Sequence, residues 1–266
     1  MDQNAAKPLG AVRQFFTGAG LLGRGLEVVL RSPRLLGLGL LPALISGVIY
    51  GIVLVLLIKF VPDLARWSTG FASGWATGLR DLLEVLAGIA IVGLAVLLGI
   101  LTFTAVTLAI GDPFYERISE LVEDRFGGVP DAVEVGFWPA LLRSIVDSIR
   151  LIALSIVIAI PLFLIGLIPA VGQVVSPVLG ALVGGWLLAV ELTGVAFQRR
   201  GQRLRQRRKV LRANRPITLG FGVAVFLCFL IPLGAILLMP AAIAGATLLS
   251  RRVLRQPIDI VTVSPL

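Results

Sequence analysis

Residues 35–60 form an apolar run of 26 residues whose only charge, Lys59, lies near its end. As an α-helix this run is about 39 Å long, enough to cross a hydrocarbon core of roughly 30 Å with some tilt. A second run, residues 82–110, has Glu84 as its only charge. Helices that are apolar on every face belong in lipid, because a small soluble core cannot cover them. The sequence therefore predicts an all-α integral membrane protein.

The composition agrees with this class and excludes several functions. Hydrophobic residues make up 57% of the chain and charged residues 15%, and the mean hydropathy is +0.98, far from the averages for soluble domains. Histidine is absent and Cys228 is the single cysteine, so the chain has no imidazole base and can form neither an internal disulfide nor a cysteine metal cluster. We expect neither enzymatic activity nor a metal or other cofactor, and no nucleic-acid partner. Residues 1–20 also lack the apolar core of a cleavable signal peptide.

The remaining apolar runs are interrupted. Residues 151–168 contain Pro161 and stop at Pro169, residues 178–190 lead into Glu191, and residues 219–249 are divided by proline and glycine. Paired, interrupted segments are typical of helices that enter the membrane and leave by the same face. We therefore predict two full transmembrane helices, 35–60 and 82–110, and two re-entrant helical hairpins, 151–198 and 217–249. The expected tips lie near residues 169–177 and 232–234.

The basic residues sort to one side in this arrangement. The chain is expected to form a single membrane domain, 1–266. Three segments then lie on the same side as the C-terminus: an interfacial segment, 1–34, a helical segment, 111–150, and a basic loop, 199–216. This side holds 21 of the 24 Lys and Arg, so the positive-inside rule predicts that both termini are cytoplasmic. Six full crossings would give the same count, and only the run lengths favour hairpins.

The basic loop has nine positive charges and no negative charge in residues 199–215. Attraction to anionic lipid headgroups, at about 1 kcal/mol per basic residue, is the favoured interpretation. Steering of an anionic substrate towards the inner mouth is the alternative. Both interpretations rest on the same side chains, namely Arg199, Arg200, Arg203, Arg205, Arg207, Arg208 and Lys209.

Acidic residues at two places in the chain are candidates for a functional role. Residues 111–115 are expected to form a turn before a helix that carries Glu116, Glu120, Glu123 and Asp124, and the interleaved Arg117 and Arg125 indicate a solvated face. Glu191 lies near the end of an apolar helix, where a lone buried carboxylate is costly. We expect Glu191 to pair with an arginine from residues 199–203 or to line a polar cavity; a position at the headgroup level is the alternative.

Arg31 and Arg34 flank Ser32 and Pro33 at the start of the first span. Guanidinium groups and the free N–H groups of a helix N-terminus together can replace the hydration of a sulfate-like ion. The same pattern also fits two arginines that extend to the interface and anchor the helix.

Several stretches, in order along the whole chain, resemble the CysZ family of bacterial sulfate permeases and the wider etoposide-induced-protein domain group. They are the segment from Phe15-Phe16 to Gly25 with Pro33 and Leu41-Pro42; Asp112-Pro113-Phe114-Tyr115-Glu116 with Leu121-Val122-Glu123; Ile168-Pro169-Ala170-Val171-Gly172-Gln173 with Ser176-Pro177-Val178-Leu179; and Phe221-Gly222, Ile231-Pro232, Met239-Pro240 and Gly245-Ala246-Thr247.

The resemblance implies a bacterial inner-membrane permease that imports sulfate or a similar small oxyanion. It also implies two long membrane helices and two half-crossing pairs. Family members bind sulfate with a Gly-x-Arg-Arg stretch after the proline that opens the first span. Here Arg34, Leu35, Leu36 and Gly37 follow Pro33, so only Arg34 with Arg31 can supply that charge.

In this interpretation Arg31 and Arg34 attract the ion, and helix N-termini at the first hairpin tip bind it near Gly172, Gln173 and Ser176. Half-crossing helices alone cannot enclose a pore, so we expect a homo-oligomer. The alternative function is a non-transporting structural or assembly factor that engages anionic lipid or a cell-envelope partner.

Overall fold

The computed structural model describes residues 10–130, 132, 137–169, 171–231 and 233–258, and within them it has helices and no strand. The α-helices are α1 Ala11–Leu30, α2 Pro33–Ser68, α3 Thr77–Arg125, α4 Phe137–Gly166, α5 Val171–Leu192, α6 Gly194–Gln198, α7 Leu204–Ala213, α8 Arg215–Phe229 and α9 Gly234–Val253, with a 3₁₀ helix at Gly70–Ala72. The prediction of an all-α protein is confirmed.

The chain divides into two units. Leu40–Phe114 is a helical hairpin made of most of α2 and α3, and the other unit joins the residues up to Gly39 to those from Tyr115 onward. In the hairpin unit the Tyr50 hydroxyl lies 2.6 Å from the Thr102 hydroxyl, and the Phe103 ring packs edge-on against Tyr50. Most outward side chains of this hairpin are Leu, Ile or Val, as expected for contact with lipid.

Several prolines lie inside helices, and this corrects the sequence interpretation. Helix α3 continues through Pro113, so the expected turn at residues 111–115 is absent. Pro161, Pro177 and Pro240 likewise lie within α4, α5 and α9. Each interior proline removes one backbone hydrogen bond, and neighbouring helices can compensate for that loss in a membrane protein. The actual breaks come after Gly166 and Phe229; the expected tip residues Ala170 and Pro232 lie outside the described part of the chain.

Within the described residues, five helices are long and apolar enough to cross a membrane, as expected for a multi-pass membrane protein. They include α2 and α3, which contain the predicted spans 35–60 and 82–110. Helices α4 and α5, with 30 and 22 residues, are longer than the apolar runs that we took as half-crossings. Helix α8 has only 15 residues and meets α7 at an angle of 106°.

The larger unit is held together by close helix contacts at glycines. Helix α1 packs against α8 and α9, and α5 packs against α8. A Cβ on Gly25 of α1 would lie 2.3 Å from the Ala241 carbonyl oxygen of α9, and one on Gly220 of α8 would lie 1.8 Å from the Phe15 carbonyl oxygen. Small residues let helix backbones approach in this way, and dispersion contacts then stabilise the bundle.

Gly25→Ala should destabilise this packing, whereas Gly23→Ala should not. The added methyl group at Gly25 meets the backbone of α9, while a Cβ on Gly23 of the same helix would have open space within 4 Å. Overpacking of this kind costs about 1–3 kcal/mol, and the control should be neutral or slightly stabilising because alanine favours helix. Unfolding in mixed detergent micelles measures both variants, and equal stability would contradict the close approach of α1 and α9.

Candidate functional site

The N-terminus of α2 carries the first group of predicted site residues. The Leu36 N–H donates to the Ser32 carbonyl oxygen at 3.0 Å, so the helix begins directly after Ser32, with Pro33 in its first turn. Pro33 suits this position because the first N–H groups of a helix have no partner within the helix. Ser32 is 5% exposed, and its hydroxyl accepts a hydrogen bond from Arg125 Nη2 at 2.7 Å. Arg125, at the end of α3, therefore joins this site.

The two arginines predicted here flank Ser32 in different environments. Arg31 pairs with Glu27 at 2.8 Å, and both side chains are largely exposed. Arg34 is exposed, and within the described part of the chain its guanidinium has no hydrogen-bond or ion-pair partner. Three guanidinium groups thus accompany the positive end of the α2 dipole, and Arg34 keeps all of its donors available for an anion.

A buried charge cluster lies two residues before Arg125. Glu123 is completely buried, and its two carboxylate oxygens bind Arg200 at 2.7 Å and Arg251 at 2.5 Å. The Arg200 and Arg251 side chains are only 6% and 2% exposed. One carboxylate between two cations is strongly favourable only while all three groups are present, because each was removed from water. We call Glu123, Arg200 and Arg251 the Glu123 cluster.

Arg251 also closes the C-terminus of α3. Gly127 and Gly128 have φ angles of 97° and 73°, which glycine adopts without strain and which turn the chain out of the helix. Arg251 donates to the carbonyl oxygens of Phe126, Gly128 and Pro257, the last two at 2.7 Å. The otherwise unpaired carbonyls at the helix end are thereby satisfied. The cluster fixes the end of α3 and, with it, the position of Arg125.

The expectation of a solvated acidic face is therefore wrong for Glu123 and correct for Glu120. Glu120 pairs with Arg117 at 2.5 Å, and both side chains are partly exposed. Glu123 instead shares a buried face of α3 with Ile118, Ser119 and Val122. This helical spacing was present in the sequence, and it is the signal that could have identified the buried carboxylate.

The residues predicted at the first hairpin tip lie at the start of α5. Gly172 is buried because α4 passes close by: a Cβ there would be 2.3 Å from the Ile165 carbonyl oxygen. Gln173 is exposed. The Ser176 hydroxyl donates to the Leu162 carbonyl oxygen at 3.0 Å, so it already connects α5 to α4. To bind an ion, Ser176 would first have to release this bond.

Glu191 lies one residue before the end of α5, on the wall of a cavity of about 460 Å³ between α4, α5 and α8. The other polar side chain on this wall is Ser155, and the rest of the lining is apolar or glycine, including Phe226 and Phe229. Arg200, one of the partners expected for Glu191, binds Glu123.

The predicted basic residues divide into buried and exposed groups. On α7, Leu204, Arg207 and Leu211 are buried, and a Cβ on Gly194 of α6 would lie 2.7 Å from Arg207 Nη1. Arg203, Arg205 and Lys209 are exposed, whereas Arg199, Arg200 and Arg208 are partly exposed as whole residues. The buried face of α7 thus contains one arginine between two leucines, and its exposed face is basic.

Comparison with protein families decides the wider relationship. The profile of the family described as Sulfate transporter CysZ/Etoposide-induced protein 2.4 matches residues 21–240. The chain belongs to this family. The family description names a transporter, and the resemblance found in the sequence motifs is confirmed.

One curated member of the CysZ family is the Sulfate transporter CysZ of Pseudomonas fluorescens. It is 35% identical to the chain over 151 residues, which are 55% of the chain and 60% of that relative. The chain thus spans about three fifths of the relative's length. The range matched by the family profile contains Arg31, Arg34, Arg125 and Glu123, and it ends before Arg251.

Arg125 is the site residue that sequence reasoning missed in this CysZ-family chain. The sequence interpretation placed it on a solvated face, beside the acidic residues that follow Pro113. Its contact with Ser32 spans 93 positions of the chain, and no local pattern encodes such a distance. The structure places its guanidinium against Ser32, the residue between Arg31 and Pro33.

Proposed function

We propose that the protein is a permease that imports sulfate, or a similar small oxyanion, across the bacterial inner membrane. The observation that carries this proposal is the group of three arginines, Arg31, Arg34 and Arg125, around the N-terminus of α2. The relative's name as a sulfate transporter supports the choice of ion. Uptake of radiolabelled sulfate into proteoliposomes tests the proposal.

In this function the arginine group binds the ion at the cytoplasmic membrane surface, the side on which an imported ion is released. Arg34 supplies unpaired donors, Arg31 can leave its exposed pair with Glu27, and Arg125 is held by Ser32. Exposed ion pairs contribute at most about 1 kcal/mol, so breaking the Arg31–Glu27 pair is easy. Charge-assisted hydrogen bonds to an oxyanion are stronger, at about 1.5–3 kcal/mol each.

The start of α5 is the proposed second binding site for the ion. Gln173 is exposed and can donate from its amide, and the dipole at the N-terminus of α5 favours an anion. Gly172 and Ser176 complete this binding site. The Ser176 hydroxyl exchanges its hydrogen bond to the Leu162 carbonyl oxygen for one to the ion. Glu191 is proposed to keep the cavity between α4, α5 and α8 polar at one end.

We propose that α4–α5 and α8–α9 are re-entrant hairpins, with α2 and α3 as the full spans. Residues 151–190 and 216–250 contain no charged residue, although each includes a break between two helices. The connection between α2 and α3, by contrast, is flanked by Lys59, Asp63, Arg66 and Arg80. A turn that reaches water is expected to carry such charges, and exposed Leu230, Ile231 and Leu233 suit a turn within lipid. Helix α8, at about 22 Å, is also short for a crossing.

Cysteine labelling tests this arrangement. In a Cys228→Ala background, Ser73→Cys should react with a membrane-impermeant maleimide from the outside, because Ser73 lies in the connection between α2 and α3. Gln173→Cys and Leu233→Cys should react at least about tenfold more slowly from that side, since lipid excludes the reagent. Reaction of both Gln173→Cys and Leu233→Cys as fast as Ser73→Cys from the outside would establish six crossings.

The same arrangement places both termini and the basic helix α7 in the cytoplasm. The exposed Arg203, Arg205 and Lys209 then face the anionic inner leaflet, which attracts them electrostatically. With Arg199, Arg200, Arg207 and Arg208 more enclosed, the lipid-facing part of the basic segment is smaller than its sequence indicates. Because half-crossing helices alone do not enclose a pore, we propose that the permease acts as a homo-oligomer.

A further inference from the structure

A second cavity lies at the basic ends of α8 and α9, apart from the arginine group and the start of α5. It measures about 640 Å³ and is lined by residues of α1, α7, α8 and the end of α9. Its volume is within the range of pockets that hold organic ligands, and it is far larger than a single oxyanion requires. Arg252 and Arg255 on its wall lie beyond residue 240, the last residue matched by the family profile.

The charge of this cavity is entirely positive. Arg252 and Arg255 are its charged lining residues, and none of the lining residues is acidic. Within the described part of the chain, neither guanidinium has a hydrogen-bond or ion-pair partner. Two unpaired guanidinium groups that converge on one cavity fit a phosphate group, which accepts several hydrogen bonds at once.

The wall that carries these arginines is held in place by the Glu123 cluster. Arg255 has a left-handed backbone, with φ of 58°, in a turn closed by the Gln256 N–H donating to the Arg251 carbonyl oxygen at 2.8 Å. The Gln256 side chain accepts a hydrogen bond from Arg200 at 2.5 Å. Both ends of the turn are thus anchored to buried arginines, and Arg255 is fixed beside Arg252.

The rest of the lining combines donors with apolar surface. Asn214 precedes the first residue of α8, where a helix presents N–H groups that have no partner within the helix. Val210, Ile217, Val253 and Leu254 supply apolar surface to the same cavity. A free phosphate ion would leave this surface unused, whereas a phospholipid has both a phosphate group and a hydrocarbon part.

We propose that this cavity binds the headgroup of an anionic phospholipid. Arg252 and Arg255 bind the phosphate oxygens, and the apolar side of the cavity holds the start of the acyl chains. The position suits a lipid because α8 begins and α9 ends here, where the basic residues of the unit meet the membrane surface. This inference goes beyond transport, since the lipid would bind whether or not the protein moves sulfate.

Native mass spectrometry of the detergent-solubilised full chain tests the proposal, with phosphatidylglycerol and phosphatidylcholine as probes. The unmodified protein should bind one phosphatidylglycerol at least tenfold more tightly than phosphatidylcholine. Arg252→Gln/Arg255→Gln should abolish this preference. Ala213→Glu should do the same by placing a carboxylate in the cavity at an exposed helix end, where the fold tolerates substitution.

The control is Arg205→Gln/Lys209→Gln, which removes the same charge from exposed positions of α7 that do not line the cavity. It should change phosphatidylglycerol binding by less than threefold, because diffuse attraction to a bilayer surface does not operate on single lipids in detergent. An equal loss in the control, or retained preference in both cavity variants with unchanged melting temperatures, would overturn the proposal. Displacement of the lipid by 10 mM inorganic phosphate would instead assign the cavity to the free ion and overturn the lipid assignment.

Discussion

Glu123→Gln is expected to destabilise the protein by about 3–5 kcal/mol, because it leaves two buried arginines with one neutral partner. The amide can accept a hydrogen bond from one guanidinium, but it carries no charge to balance Arg200 and Arg251. The cluster joins the end of α3 to α9 and to the turn that follows α6. Its loss should therefore affect the whole larger unit. Unfolding in mixed detergent micelles, followed by tryptophan fluorescence, measures the change.

Glu120→Gln is the matched control on the same helix. Its pair with Arg117 is partly exposed, and pairs of this kind contribute at most about 1 kcal/mol. Both glutamates lie on α3 and both pair with arginine, but Glu123 is buried and Glu120 is partly exposed. Equal destabilisation by the two substitutions would mean that Glu123 is not enclosed as the structure shows.

Arg34→Gln is expected to lower sulfate uptake into proteoliposomes at least tenfold without loss of stability. Arg34 is exposed and has no side-chain partner within the described residues, so its removal should change the free energy of unfolding by less than about 0.5 kcal/mol. Loss of one charge-assisted bond to the ion costs about 1.5–3 kcal/mol, which corresponds to a factor of about 10 to 150 in affinity.

Arg66→Gln controls for the general loss of a positive charge. Arg66 lies in the last turn of α2 and pairs with the exposed Asp63 at 2.7 Å, at the opposite end of that helix from Arg34. The rate of sulfate uptake by Arg66→Gln should stay within twofold of the rate of the unmodified protein. If Arg34→Gln also transports sulfate at the unmodified rate, the N-terminus of α2 does not bind the transported ion, even if the protein is a permease.

The all-α fold class was predictable from the sequence, whereas the residues at which helices begin and end were harder to predict. The run at residues 35–60 can only be a membrane helix, and α2 contains all of it. The prolines misled the prediction: the sequence placed Pro113 in a turn and an interruption at Pro161, whereas α3 and α4 continue through them. A proline in the interior of a helix removes one backbone hydrogen bond, and tertiary packing determines whether the helix continues despite that loss.

The candidate site could be proposed from the sequence where its residues are close together in the chain. Arg31 and Arg34 flank the start of α2, and the pattern of proline after serine was sufficient to propose them. Arg125 and the Glu123 cluster could not be placed, because Glu123 and Arg251 are 128 positions apart. Burial turned a carboxylate that resembled a surface acid into the centre of a charge cluster, and burial depends on the packing of distant helices.

The most direct test of the central claim is radiolabelled sulfate uptake by the purified protein in liposomes, compared with protein-free liposomes of the same lipid. A permease predicts uptake that is faster than in protein-free liposomes, saturates with sulfate concentration and falls at least tenfold with Arg34→Gln. Uptake no faster than in protein-free liposomes, from protein whose melting temperature shows that it is folded, would contradict the claim. That result would favour a structural or assembly role in the membrane.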